Sequence, residues 1–122
     1  MSVSLNHTIV WVRDKSLSAR FLAEILGVPV EPETPPFVPV RLANGVTLDY
    51  ADTATTIQSQ HYAFALTEEE FEAAFTRITS AGIPYYADPF HRELGVINHM
   101  NGGRGVYFND PDGHNMEILT RP

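Results

Sequence analysis

The 122-residue chain contains no cysteine, has few positive charges and lacks any long apolar run. The absence of cysteine excludes disulfides, thiolate nucleophiles, zinc fingers and iron–sulfur centres. Eight Lys and Arg against fifteen Asp and Glu give a formal net charge of −7, which disfavours partners such as nucleic acid or anionic membrane surfaces. No apolar run approaches the roughly 18 residues of a membrane span, and the first residues do not form a signal-peptide pattern. We therefore expect a soluble, cytoplasmic protein.

What the chain does contain is an internal repeat with a long period. A strand-like segment with a histidine near its start occurs twice, at His7 and at His61. Each segment is followed by a helical pattern and then by a hairpin pattern. The order predicts two β-α-β-β-β modules, residues 1–56 and 57–122, in one domain of the α+β class. If the modules pack as symmetric copies, their strands form a curved mixed sheet around a shared cleft.

Both helices have clear signals at their ends. Asp14 is placed to cap the first helix, and Thr67 with Glu70 forms a capping-box pattern at the start of the second. Gly27 and Gly82, each followed by a β-branched residue and proline, predict left-handed helix ends. The helical spacing predicts two buried faces, formed by Leu17, Phe21 and Ile25 and by Phe71, Phe75 and Ile78.

The hairpin turns determine which side chains share a face with the acidic residue that follows each turn. A two-residue loop at 44–45 would pair Arg41 with Leu48 and turn Arg41 away from Asp49. A four-residue loop at 110–113 would pair Tyr107 with Met116 and turn Tyr107 away from Glu117. We therefore expect neither Arg41 nor Tyr107 to lie at a site.

The repeat places one histidine and one carboxylate at equivalent positions of each module. His7 and His61 lie on the first strands, and Asp49 and Glu117 each follow a turn glycine by four residues. Two imidazoles and a carboxylate are a typical ligand set for Fe(II), Mn, Ni, Co or Zn with open positions for substrate. The sequence therefore predicts one divalent metal ion at His7, His61 and Glu117. Asp49 is predicted either as a fourth ligand or, because Asp is shorter than Glu, as a general base.

At these residues the chain resembles the vicinal oxygen chelate superfamily, which includes glyoxalase I, fosfomycin-resistance proteins, extradiol dioxygenases, methylmalonyl-CoA epimerase and bleomycin-binding proteins. The resemblance covers essentially the whole chain. It rests on Leu5-Asn6-His7, on Phe21-Leu22 to Leu26-Gly27-Val28, on Gln60-His61 and on the segment from Val106 to Glu117, which reads VYFNDPDGHNME.

The resemblance implies paired β-α-β-β-β modules around a divalent metal, which a substrate chelates through adjacent oxygens. His7, His61 and Glu117 match the three-ligand pattern of the dioxygenases and fosfomycin-modifying enzymes. Asp49 occupies the position where the four-ligand glyoxalases and epimerases have an acid, usually Glu. Members of the superfamily commonly form homodimers, some with sites completed by the second chain, and we expect a homodimer here.

The second module differs from the first mainly by an inserted loop, roughly residues 91–103. Two further candidates lie in this loop or directly after it. His99 is a candidate proton shuttle in this loop, and Arg104 is a candidate for binding an anionic substrate group. His114, after the turn glycine, is expected to cap or pack the hairpin.

These observations favour a metal-dependent enzyme of the glyoxalase/dioxygenase type acting on a small oxygen-bearing substrate, with lyase or isomerase chemistry preferred. One alternative is an extradiol-type dioxygenase that cleaves a catechol-like ring. Another, from a different class, is a metal-free protein that binds a small molecule or drug, as bleomycin-resistance proteins do. The sequence specifies neither the substrate nor the metal.

Overall fold

The computed structural model describes residues 2–122, which divide into two compact units. The first unit ends at Ile57 and the second begins at Gln58, and the predicted module boundary lies one residue earlier. Each unit contains one α-helix and one three-stranded mixed sheet, which confirms the α+β prediction.

The first unit has a strand, a helix and then a hairpin. Its elements are β1 (His7–Val12), α1 (Lys15–Leu26), β2 (Val38–Arg41) and β3 (Thr47–Asp52). The strand order is β1-β3-β2, with β1 parallel and β2 antiparallel to β3. The strand β3, which is the last of the three in sequence, therefore lies at the centre of the sheet.

The second unit repeats this topology. Its elements are β4 (His61–Ala65), α2 (Glu68–Ser80), β5 (Gly105–Asn109) and β6 (Asn115–Leu119), with a short 3-10 turn at Met100–Gly102. The order is β4-β6-β5, with β4 parallel and β5 antiparallel to β6.

The registers of the two sheets are equivalent. Ile9 lies opposite Asp49 in the first sheet, and Ala63 lies opposite Glu117 in the second. Each histidine is therefore two residues before the partner of its acid, on the same face of its sheet. Each module was predicted to have four strands, and the strand directly after the helix is reduced to an isolated bridge. The bridge joins Val30 to Val40 in the first unit and Tyr86 to Tyr107 in the second.

The predicted helix ends are confirmed. The Asp14 side chain accepts a hydrogen bond from Leu17 N at 3.2 Å. At α2 the Thr67 side chain accepts from Glu70 N at 3.1 Å while Glu70 accepts from Thr67 N at 2.8 Å. Gly27 and Gly82 have φ of 73° and 69°, the left-handed conformation that glycine adopts without steric cost.

The predicted helix faces are only partly correct. On α2, Phe71 and Ile78 are fully buried. On α1, Leu17 is 47% exposed, and the buried side is formed by smaller residues together with two large ones, Ser18, Ala19, Leu22, Ala23 and Ile25. The buried face of α1 is therefore rotated relative to the predicted one and consists mainly of small residues.

Both predicted hairpin loops are wrong by one residue. Leu42 N donates to Val46 O at 2.8 Å, which leaves the three-residue loop 43–45. Asp110 N donates to His114 O at 2.9 Å, which leaves the three-residue loop 111–113. Each loop ends in a glycine with φ near +85°, at 88° and 84°, as in a type I turn followed by a glycine bulge.

Candidate functional site

The second unit brings two of the predicted metal ligands into contact. His61 Nε2 and Glu117 Oε1 lie 3.0 Å apart, on the neighbouring strands β4 and β6. Glu117 is 7% exposed, whereas about half of the His61 side-chain surface is exposed. A buried carboxylate needs a cation or hydrogen-bond donors to offset its lost hydration, and His61 Nε2 lies within hydrogen-bonding distance of it.

The geometry of this pair fits a divalent metal ion. Two donor atoms about 2.1 Å from one ion, at right angles to each other, are about 3.0 Å apart. The observed Nε2–Oε1 distance of 3.0 Å matches that separation. Among residues 2–122, no group of three or more His, Cys, Asp and Glu side chains is close enough to hold a metal ion. His7 and Asp49 belong to the first unit and His61 and Glu117 to the second, and the complete ligand set stays a prediction.

Tyr107 is the residue that the sequence analysis missed. It lies directly opposite Glu117, its hydroxyl donates a hydrogen bond to Glu117, and its ring centroid is 5.7 Å from that of His61. Burial, and then the charge and hydrogen bond of Glu117, raise the pKa of Tyr107 to about 12. The phenol therefore stays a donor at neutral pH. A glycine as the third residue of a three-residue loop is the signal that would have given the correct register.

The first unit presents His7 and Asp49 on one face of its own sheet. His7 Nδ1 lies 2.7 Å from Asn6 Oδ1, which can only accept, so Nδ1 is the donor in this hydrogen bond. Asp49 is half-buried and opposite Pro39 on β2. Arg41 pairs with Thr47 rather than with Leu48, so it shares the face of Asp49, contrary to the prediction.

Small residues of β4 lie next to Glu117 on the same face of the sheet. Ala63 and Ala65 on β4 share its face and are exposed. Gly105 on β5 belongs to the same face, but the Asn98 side chain occupies the space beside it, since a Cβ atom at Gly105 would lie 3.0 Å from Asn98. The small side chains of β4 therefore leave the surface beside Glu117 uncovered.

The two loop candidates have partners of their own. The Arg104 guanidinium forms ion pairs with Glu68 at 3.0 Å and with Glu72 at 2.6 Å, and lies 4.7 Å from the Phe71 ring centroid. These contacts tie Arg104 to α2 and do not favour the predicted role in binding a substrate anion. His99 Nδ1 lies 3.1 Å from the carbonyl oxygen of Gly103, within its own loop, and its predicted role as a proton shuttle stays a prediction.

His114 packs the second hairpin, as expected. It is 1% exposed, and its Nδ1 accepts a hydrogen bond from Gln60 N at 3.0 Å. Because this bond joins the turn to the residue before His61, it fixes the start of β4 against β6. Asp110 supports the same turn by accepting from His114 N at 2.8 Å, and burial raises the pKa of Asp110.

Comparison with known proteins confirms the resemblance. Residues 4–118 match the model of the Glyoxalase/Bleomycin resistance protein/Dioxygenase superfamily. The solved structure of oxidase ChaP-H2 is 59% identical and superposes with a TM-score of 0.98, covering 100% of this chain and 96% of the other. Oxidase ChaP-H1 is 50% identical with a TM-score of 0.96, covering 99% and 98%. Glutathione transferase FosA of Serratia marcescens is 29% identical over 97% of this chain and 81% of its own length.

None of the helices formed by residues 2–122 has both the length and the apolar character needed to cross a membrane.

Proposed function

The chain belongs to the Glyoxalase/Bleomycin resistance protein/Dioxygenase superfamily, and from this premise we propose that it is a metal-dependent oxidase of a small, oxygen-bearing organic compound. The observation that carries the proposal is the 3.0 Å contact between His61 Nε2 and the buried Glu117 Oε1. The lyase or isomerase chemistry preferred from the sequence gives way to oxidation because two relatives at 59% and 50% identity are named oxidases.

The proposed ligand set is His7, His61 and Glu117. Two histidines and one carboxylate with open positions are typical of non-haem Fe(II) oxygenases, so Fe(II) or Mn(II) is the metal we expect. When bound, the metal would act as a Lewis acid toward adjacent substrate oxygens and would activate dioxygen, the proposed oxidant. Asp49 is either a fourth ligand or the base that takes a proton from the substrate.

The surrounding residues prepare the ligands for this role. Tyr107 holds Glu117 by a hydrogen bond from a phenol that does not ionise at neutral pH. Asn6 accepts from His7 Nδ1 at 2.7 Å, which leaves Nε2 of His7 available as a donor atom. Outer hydrogen bonds of this kind orient metal ligands and raise their basicity.

Elemental analysis of protein purified without a chelating tag tests the proposal. We expect stoichiometric iron or manganese in the wild type and its loss in Glu117→Ala. Oxygen uptake with catechols then separates an oxidase from an isomerase or lyase, and the position of ring cleavage identifies an extradiol-type dioxygenase. Absence of metal, together with unchanged ligand binding in His61→Ala, would instead establish a metal-free binding protein.

We also propose that the chain acts as a homodimer, as members of the superfamily often do. Light scattering should give twice the mass of one chain. Mixing and refolding His7→Ala with Glu117→Ala tests whether two chains share each site. Shared sites would restore one complete ligand set in each mixed dimer and recover metal binding, whereas sites within one chain would recover none.

A further inference from the structure

The sheet of the first unit carries an arginine on the same face as its histidine. Arg41 on β2 lies opposite Thr47 on β3, and Thr47 lies opposite His7 on β1, so the three residues form one row across the sheet. Residues paired in this way project from the same face. Because neighbouring strands lie about 4.8 Å apart, the Cα atoms of His7 and Arg41 are separated by about 10 Å. The row therefore has a candidate metal ligand at one end and a positive charge at the other.

The Arg41 guanidinium is not used by the protein itself. Arg41 is exposed, and among residues 2–122 its side chain forms no ion pair or hydrogen bond. Asp49 is its diagonal neighbour across the β2–β3 pair, where a long side chain could reach it, yet no ion pair joins the two. The charge of Arg41 is therefore available to a ligand.

The arginine that the sequence predicts to bind an anion has partners within the protein instead. Glu68 and Glu72 hold Arg104, and Glu33 holds Lys15 in the same way at 3.3 Å. A chain with only eight Lys and Arg and a net charge of −7 has few cations. An unpaired cation on the face of the candidate ligands therefore indicates a role in binding.

The equivalent row of the second unit has no charge beside its histidine. Asn115 lies opposite His61 there, and Asn109 lies opposite Asn115. Asn109 thus takes the place of Arg41, and Asn115 takes the place of Thr47. The cation is a feature of the first unit that the shared topology does not require.

The row of the second unit is also bonded to the inserted loop. Asn115 Nδ2 donates to the carbonyl oxygen of Pro89 at 3.0 Å, and Asn115 Oδ1 lies 2.9 Å from His91 Nε2. In the part of the chain that the structure describes, no loop is bonded to the Arg41 side chain in this way. The row of the first unit therefore stays open to a ligand at its charged end.

The charge of this region favours a monoanion. A single guanidinium offers one positive charge and a planar set of N–H donors that matches a carboxylate. The Asp49 carboxylate on the same face repels further negative charge, which disfavours a doubly charged phosphate group.

We propose that Arg41 binds a carboxylate of the ligand through paired N–H···O hydrogen bonds. The ligand class is an aromatic carboxylate whose adjacent metal-binding oxygens lie at the end of the molecule away from the carboxylate, so that the ring extends from His7 over Thr47 toward Arg41. Arg41 thereby selects among ligands by charge and fixes the direction in which the ring lies. This inference rests on the proposed function, because the ligand oxygens are placed by the metal at His7.

Binding of protocatechuate and of its neutral amide to the Mn(II)-loaded protein under argon tests the assignment. The two compounds have the same ring and the same adjacent hydroxyls, and they differ in the charge of one group of nearly equal size. We expect the wild type to bind protocatechuate about five- to tenfold more tightly than the amide, and Arg41→Met to lose this preference. Calorimetry gives all four Kd values, and the ratio of the two Kd values is the readout because a folding defect would change both.

Two further variants serve as controls. Arg20→Met removes the same charge from an exposed position on α1 and should keep the preference. Arg41→Lys keeps the charge without the planar donors and should keep part of it. In the wild type the preference should shrink as salt is added, because an exposed charge pair is screened.

The outcomes separate this inference from the proposed function. If the wild type binds neither Mn(II) nor the two compounds, the proposed function is wrong and the inference about Arg41 fails with it. If Mn(II) binds but the wild type does not prefer protocatechuate, or if Arg41→Met keeps the preference, only the inference about Arg41 is wrong. An equal loss of preference in Arg20→Met would assign the effect to the overall charge of the protein and would also overturn it.

Discussion

The two units have the same strand order and the same register, yet their exposed sheet faces differ. Around His7 the face carries Ile9 and Trp11, which are 38% and 51% exposed. Around His61 the equivalent positions are Ala63 and Ala65. The shared backbone explains why a histidine and an acid recur at matching places. The neighbouring side chains make the face around Glu117 less bulky than the face around Asp49.

The two acids, Asp49 and Glu117, also differ in their burial and in their hydrogen-bond partners. Glu117 is buried, bonded to His61 and opposite Tyr107, which donates a hydrogen bond to it. Asp49 is half-buried and lies opposite Pro39, whose side chain has no donor. A carboxylate held by two neighbours is better organised as a metal ligand than one without such support. We therefore expect the acid of the second unit to be the stronger metal ligand.

The largest expected effect concerns equivalent positions on the two helices, Phe71 and Leu17. Phe71 is fully buried, so Phe71→Ala should lower the free energy of unfolding by about 3–5 kcal/mol. Leu17 is 47% exposed, so Leu17→Ala should cost less than about 1 kcal/mol. Urea denaturation of both variants measures the difference. Equal losses would show that the two helices pack alike after all.

The next effect compares the two acids by isosteric replacement. Glu117→Gln should weaken metal binding at least roughly 100-fold, because even outer-shell changes cost about 10–100-fold. Asp49→Asn should weaken it less than about tenfold if Asp49 acts as a base. Competition with a chelator of known affinity gives both constants. A comparable loss in Asp49→Asn would make Asp49 a fourth ligand.

A smaller effect is expected from exchanging the residues that differ between the two faces. Ala63→Ile introduces beside Glu117 the isoleucine that the first unit has at the equivalent position, Ile9. The larger side chain fills space next to Glu117 and should raise the Kd for catechol about tenfold, or about 1.4 kcal/mol. Ile9→Ala, at the equivalent position, should change that Kd far less. Titration by fluorescence or calorimetry is sufficient. If Ile9→Ala has the greater effect, the ligand is bound mainly by the face of the first unit.

A further effect, confined to alkaline pH, is a change in stability caused by Tyr107. Its pKa of about 12 in the folded state lies above the ordinary value near 10. The folded protein therefore keeps a proton that the unfolded chain loses, and this contribution to stability is complete below pH 10 and declines as the pH rises toward 12. In Tyr107→Phe the free energy of unfolding should fall less steeply between pH 10 and 12. Urea denaturation across this range measures the slopes, and identical slopes would contradict the assignment.

Much of the fold was predictable because local signals agreed with the tertiary structure. The caps at Asp14 and Thr67 and the glycines that end both helices are local chemistry, and each is found where the sequence indicates. The pairing of His61 with Glu117 was also predictable in outline, because the repeat places both residues on strands of one module. The register of the hairpin strands was not predictable, because a loop of two, three or four residues around one glycine fits the same sequence. Each change of one residue in the loop moves the side chains of one strand to the opposite face of the sheet.

The sequence by itself determined that the chain has two α+β halves, each with a histidine and an acid at equivalent positions. These properties follow from periodicity, turn residues and repetition, which act over short stretches of chain. Only the tertiary structure decided that the Tyr107 hydroxyl is hydrogen-bonded to Glu117 and that His91 Nε2 lies 2.9 Å from Asn115 Oδ1. Both contacts join segments distant in sequence, and they form only once strand register and loop path are set by packing across the whole unit.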